Sequence, residues 1–338
     1  MGKRAMGFGL TALAAAIAMP ALAGPEQAGI ALVEQPLPGE AQRPQAIVLG
    51  PDGNVWVTEV IKHQIFRITP EGKATAFRVP GEQVGVLQGI APGPDGNIWF
   101  TSREENAIRR IAPDGSFNGK FDIPSTATVP TEGNKGSWPR TITAGPDGHM
   151  WFAEMAANKI GRVSVDGAFT EFVVPTAGAK PYGVVAALDG NIWFTESGAG
   201  KIGRLTLKTG AITEFPLSDP QSRPRDITVG RDGHLWFSMN GTDRIGRISM
   251  QGEVAEFPLP AGTQPIGIAP GPDGNIWFTA FRSHKIGRIT PAGTVSFFDL
   301  KTPNAQPFGM AAGPGGAVWF TLQANHVGQV MLPQLARR

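Results

Sequence analysis

Short runs in which apolar and polar residues alternate follow one another along most of this chain, each broken by a glycine-rich turn. Residues 181–218 show the unit: PYGVVAAL is apolar, DGN turns, IWFTE alternates, SGAG loops, KIGRLTL alternates again, KTG turns and AITEFPLS ends it. A period of two in β-branched and aromatic residues predicts four antiparallel strands, and the helical period is absent from all but the first residues. The unit repeats. GIAPGPDGNIWFT stands at both 89–101 and 267–279, and Trp56, Trp99, Trp151, Trp193, Trp236, Trp277 and Trp319 are spaced 43, 52, 42, 43, 41 and 42 residues apart. A spacing near 42 residues suits the blade of a propeller. Only Trp138 stands outside the series.

Six copies of the fourth strand follow the seven series tryptophans, and the missing copy is IALVEQPLP at 30–38. The expected fold is therefore all-β: a seven-bladed β-propeller of four-stranded antiparallel blades, the seventh closed by the N-terminal strand so that no edge is left open. The blades span about 29–333 within a single domain, 24–338. The long spacing between Trp99 and Trp151 places an insertion at 125–137, a polar loop that is either a tolerated surface excursion or a lid.

Composition agrees with many turns and short strands: 45 glycines and 30 prolines in 338 residues, with 41% hydrophobic residues. Residues 1–23 differ from the rest. Lys3 and Arg4 precede an apolar run and an Ala21-Leu22-Ala23 cleavage pattern, which predicts a signal peptide and export to the periplasm or medium. That segment carries two of the 30 basic residues and none of the 28 acidic ones, so the remainder is balanced and gives no footing for a nucleic-acid partner. No later segment is apolar enough to cross a membrane as a helix. The absence of cysteine excludes a thiol nucleophile and cysteine-held metals.

Between units the P-D-G turns hardly change, whereas the opposite face varies, and repeat proteins usually carry function on the variable face. The second position of the first strand of each unit reads Gln45, Gln88, Arg140, Tyr182, Arg225, Ile266 and Phe308; the last position of the second strand reads Glu59, Ser102, Glu154, Glu196, Met239, Ala280 and Leu322. These positions are expected to ring the mouth of the channel, a polar arc facing an apolar one, as in small-molecule pockets. Arg140 and Arg225 would hold an anionic or carbonyl group of a ligand, with Tyr182 beside them, and Ile266, Phe308 and Leu322 would pack its apolar part. Glu154 and Glu196 are the candidate catalytic carboxylates. The blander reading has Arg140–Glu154 and Arg225–Glu196 neutralising each other. His63, His284 and His326, on loops of blades adjacent in a closed ring, are weak candidates for a metal site, with solvated loop side chains as the alternative. The arginines of I-G-R-I (Arg162, Arg204, Arg247, Arg288) are expected to pair with Glu171, Glu214 and Glu256 across the strands.

The repeated P-x-G-I-x-x-G-P-D-G-N-I-W-F-T-E unit, with N-K-I-G-R-I-T after it, resembles that of the virginiamycin B lyase (streptogramin lyase) family over nearly all of 29–333. The resemblance implies a monomeric seven-bladed propeller. It also implies elimination chemistry that opens a cyclic depsipeptide with Mg²⁺, a histidine base, and acidic and histidine metal ligands. At the positions where the resemblance implies the two histidines this chain has Ile266 and Phe308, and where it implies glutamates it has Gln306 and Gln323. Phe308 cannot abstract a proton, and neutral amides are poor ligands for Mg²⁺. The sequence thus reads as an exported, lyase-like propeller that binds a small or peptide-like ligand, with any lyase or hydrolase chemistry divergent. The alternatives are a non-enzymatic protein-interaction propeller and a true Mg²⁺-dependent streptogramin B lyase.

Overall fold

The computed structural model describes residues 29–39, 42–81, 84–131 and 134–333; the expected signal segment lies outside the described residues. Seven four-stranded sheets, each holding one series tryptophan, form the ring. Blade 4 is typical: Pro181–Ala186 lines the axis, followed outward by Ile192–Glu196, Lys201–Leu205 and Ile212–Pro216. In blade 7 the outermost strand is Ala31–Pro36, paired antiparallel with His326–Met331 from Ala31↔Met331 to Pro36↔His326. The two ends of the chain therefore close the circle, as the count of fourth strands requires.

The repeated letters have separable mechanical roles. The tryptophans of the second strands are 0–1% exposed and fill the spaces between blades. In blades 1–6 the indole Nε1 donates to the aspartate four residues earlier, from Trp56–Asp52 at 3.0 Å to Trp277–Asp273 at 3.2 Å. The same carboxylates accept from the backbone of the D-G-N turn, so each aspartate is both turn former and indole partner.

The threonine of I-W-F-T joins neighbouring blades. Thr195 Oγ1 accepts from Gly183 N at 2.8 Å and donates to the Arg225 carbonyl of blade 5 at 2.6 Å. Gly183 permits this approach, since a Cβ there would lie 2.3 Å from the same oxygen. Hydroxyls of Thr321, Thr58, Thr101, Ser238 and Thr279 likewise donate to the carbonyls of Gln45, Gln88, Arg140, Ile266 and Phe308. Blade 3 has Ala153 at that position, and Thr141 on its innermost strand donates to the Tyr182 carbonyl instead, at 2.9 Å. Each bond contributes on the order of 1 kcal/mol. Together they fix the backbone of all seven residues expected at the mouth.

Two expectations change. The insertion is a hairpin of Thr126–Thr131 and Asn134–Gly136, anchored where Thr128 N donates to the Ala156 carbonyl at 2.9 Å. Its polar composition hid two short strands. The arginine–glutamate ladder does not form: Glu171 lies opposite Gly161, one residue from Arg162, so the two side chains leave opposite faces of the sheet. Glu171 pairs with Lys159 at 2.8 Å, Glu214 with Lys201 at 2.9 Å and Glu256 with Arg244 at 3.1 Å. The I-G-R-I arginines lie over the tryptophan rings, Arg204 at 5.5 Å from the Trp193 centroid.

Candidate functional site at the channel mouth

Six of the seven innermost strands begin with a proline and that of blade 2 with Leu87, and each presents its second residue to the axis at the variable end. Gln45, Gln88, Arg140, Tyr182, Ile266 and Phe308 line a central cavity of about 470 Å³. An outer cavity of about 350 Å³ shares Gln45, Gln88, Arg140, Tyr182 and Phe308 and adds Arg43, Arg103, Arg225, Phe281 and Gln323. Five of the six residues expected to bind ligand, Arg140, Tyr182, Arg225, Ile266 and Phe308, are thus brought together. The sixth, Leu322, is fully buried in the core with Phe320 and Val330 and lines neither cavity.

Glu154 and Glu196 are also 0% exposed and outside both cavities. They pair across the sheet with Pro139 and Pro181, on strands one step removed from the axis, and the innermost strand screens them from the lumen. No backbone amide donates to any of their four carboxylate oxygens. Burial, helped by Glu171 and Glu214, pushes both carboxyls up to about 8. In blade 1 the equivalent Glu59 accepts from Arg43 N, Ile61 N and Lys62 N at 2.7–2.8 Å.

The alternative arginine–glutamate neutralisation is absent: no ion pair joins Arg140 to Glu154 or Arg225 to Glu196. Arg225 Nη2 donates to the Tyr182 hydroxyl at 2.8 Å, and its guanidinium lies 4.4 Å from the ring centroid. Arg140 stands over the same ring at 5.1 Å and donates to Gln88 Oε1 at 2.9 Å. Burial opposes ionisation of Tyr182, but Arg225 and Arg140 outweigh it and hold the phenol below its ordinary value. Burial and the neighbouring Arg225 and Arg103 lower Arg140, partly offset by Tyr182. Deeper in the channel, burial raises the Asp226 carboxyl to about 6 against the amides of Ile268 and Ile227, which donate to it at 3.2 and 3.0 Å.

Sequence reasoning missed Trp138, Arg103, Arg43, Phe281 and Asp226. Trp138, just beyond the insertion, carries Arg103 at 5.1 Å and Arg140 at 5.6 Å from its ring centroid. Its displacement from the tryptophan series was the available signal. Phe281 meets Phe308 edge-on at 6.2 Å. The three loop histidines are not brought together: His63 Nδ1 donates to the Gly85 carbonyl, His284 Nδ1 accepts from Gln306 N, and His326 Nδ1 donates to the Ala324 carbonyl. Among the described residues no group of three or more His, Asp or Glu side chains is placed to hold a metal ion. Gln306 and Gln323 meet through a backbone bond of 3.1 Å, and the Gln323 side chain accepts from Arg43. That pair of neutral amides does not fit a Mg²⁺ centre.

The profile of the Virginiamycin B lyase family matches residues 26–261 and 132–334. Virginiamycin B lyase from Staphylococcus aureus is similar over 90% of this chain and 100% of its own, with 33% identity and a TM-score of 0.82. A catalytically inactive variant of that enzyme with quinupristin gives the same figures. A streptogramin B lyase structure is 32% identical over 90% of this chain and 98% of its own, with a TM-score of 0.83. No curated protein sequence matches significantly. With the profile and these structures covering nearly the whole propeller, the chain belongs to the virginiamycin B lyase family.

Proposed function

We propose that this protein binds a small or peptide-like ligand at the channel mouth and that any elimination or hydrolysis it performs differs from the ring opening of its relatives. One observation carries the reading: the mouth is a cavity with a polar arc, Gln45 to Arg225, facing an apolar arc of Ile266, Phe308 and Phe281. The chemistry is divergent because Ile266 and Phe308 stand in the lumen where the resemblance implies histidines, and neither can move a proton. The same reading has residues 1–23 removed on export and the mature chain acting as a monomer.

Saturation-transfer NMR against a mixture of N-acyl dipeptide amides tests it. Several members are expected to receive saturation, and Ile266→Arg, which fills the lumen, is expected to abolish the effect. No transfer to any member, or transfer unchanged in Ile266→Arg, overturns the binding site. Quinupristin incubated with the protein and Mg²⁺ is expected to keep its chromatographic retention and fragmentation pattern, which ring opening would change even though elimination leaves the mass unaltered; a ring-opened product overturns the divergence.

A further inference from the structure

Among the described residues no carboxylate pairs directly with Arg140 or Arg225 at the mouth. Elsewhere cations near the core meet carboxylates: Arg110 meets Asp95 at 2.8 Å, Lys159 meets Glu171 and Lys201 meets Glu214. Arg140 and Arg225 hydrogen-bond only to neutral groups, namely the Gln88 amide, the Met155 sulfur and the Tyr182 hydroxyl; Glu104 and Asp226 act on them through space without pairing. Arg225 Nε is buried and donates to nothing. The carboxylates best placed in sequence to pair with them, Glu154 and Glu196, are shut inside their blades. Arg43 also rests on an amide, that of Gln323, and of the four arginines lining the outer cavity only Arg103 has a carboxylate, Glu104.

A half-buried guanidinium with no directly paired carboxylate is unfavourable. Two of them converge on one ring, and the hydrogen bonds that hold the backbones of Arg140, Tyr182 and Arg225 keep them there. A bound anion would supply the missing charge. Guanidinium donors lie in a plane that matches a carboxylate. Across the lumen Phe308 and Ile266 offer an apolar wall to whatever carries it.

We propose that Arg140 and Arg225 clamp the carboxylate of an N-acyl amino acid or short peptide whose apolar side chain lies against Phe308 and Ile266. This deepens the ligand-binding reading of the mouth and rests on it. Tyr182 holds the clamp's geometry, and it reports on the clamp because it is the protein's only tyrosine.

The experiment compares N-acetylphenylalanine, its uncharged amide and inorganic phosphate by calorimetry and by absorbance titration of Tyr182. The acid is expected to bind at least about tenfold more tightly than the amide. It is also expected to move the ionisation of Tyr182 upward, because it neutralises the arginines that favour the phenolate. Arg225→Gln is expected to erase the difference between acid and amide. Removing a charge at exposed Lys208, on the opposite face, is expected to preserve it. Equal binding of acid and amide overturns the clamp but leaves the pocket standing. Phosphate matching the acid overturns the assignment to carboxylate. Neither acid nor amide binding, while dipeptide amides still receive saturation, also overturns the clamp; failure of both experiments removes the pocket as well.

Discussion

At the constant end of blades 1–6 each tryptophan donates to an aspartate and carries an arginine over its ring, with Trp193, Asp189 and Arg204 as the pattern. At the mouth, arginines again stack on an aromatic ring, that of Tyr182, but no carboxylate pairs directly with them. The same contact is therefore scaffold at one end and unfinished at the other. The difference teaches that stacking does not mark a site; the missing counter-charge does. The largest test strips one member from each end. Trp193→Ala is expected to cost about 3–5 kcal/mol, because it empties a fully buried space between blades 4 and 5. Arg225→Gln is expected to change stability by less than about 1 kcal/mol or to raise it, since it removes a half-buried charge with no directly paired carboxylate. Denaturant midpoints of the two variants decide this. A loss at Arg225 as large as that at Trp193 would make the mouth arginine scaffold too.

A second contrast lies within one repeat position. Glu59 has three amide donors, whereas Glu154 and Glu196 have none. The blade 1 loop turns its amides toward the carboxylate; in blade 3 Ala156 N donates to the Ser137 carbonyl, and in blade 4 Gly198 N donates to that of Ala179. Because the folded-state values of Glu154 and Glu196 are raised from 4.5 to about 8, the folded protein holds protons the unfolded chain would release. Their stabilising contribution is full below about pH 4.5 and is lost as pH rises through 8. Glu154→Gln with Glu196→Gln is therefore expected to be more stable than the parent at pH 9, by roughly 2–4 kcal/mol after allowance for local relaxation, and about equal to it at pH 4. Chemical denaturation at the two pH values measures it. A parallel pH dependence in parent and variant would place charged, solvated carboxylates at both positions.

The ring was legible because its rules are local and repeated: the tryptophan spacing, the D-G turns and the displaced fourth strand each survive in the letters alone. The mouth was legible one strand deep. Gln45 through Phe308 point into the lumen as alternation requires, but Glu154, Glu196 and Leu322 belong to the next strand out, and a repeat alignment does not say which strand screens which. The I-G-R-I arginines failed for a related reason, a register one residue off that moves a side chain through the sheet. Trp138, Arg43, Arg103 and Phe281 come from loops whose approach to the axis is set by the closed ring, which no single repeat contains.

Blade 7 departs from the constant end of the other six. Gly315 occupies the place of the aspartate, Gln329 that of the arginine, and Trp319 Nε1 is buried without a partner. Its turn differs as well: Gly315 and Gly316 both have positive φ, 67° and 76°, whereas no aspartate of the D-G turns does. Gly315→Asp would offer the orphaned indole the acceptor found in blades 1–6, a gain of about 1 kcal/mol. Against it stands the cost of placing a non-glycine residue at positive φ or of turning the peptide back, which for aspartate is somewhat smaller. The expected outcome is a small net stabilisation of about 0.5 kcal/mol, read as a rise in the thermal midpoint. The same substitution at Gly316, whose φ the glycine of every D-G turn shares, is expected to destabilise. If Gly315→Asp also destabilises, the turn of blade 7 is shaped by the two glycines rather than by the missing bond, and the asymmetry belongs to the closure of the ring.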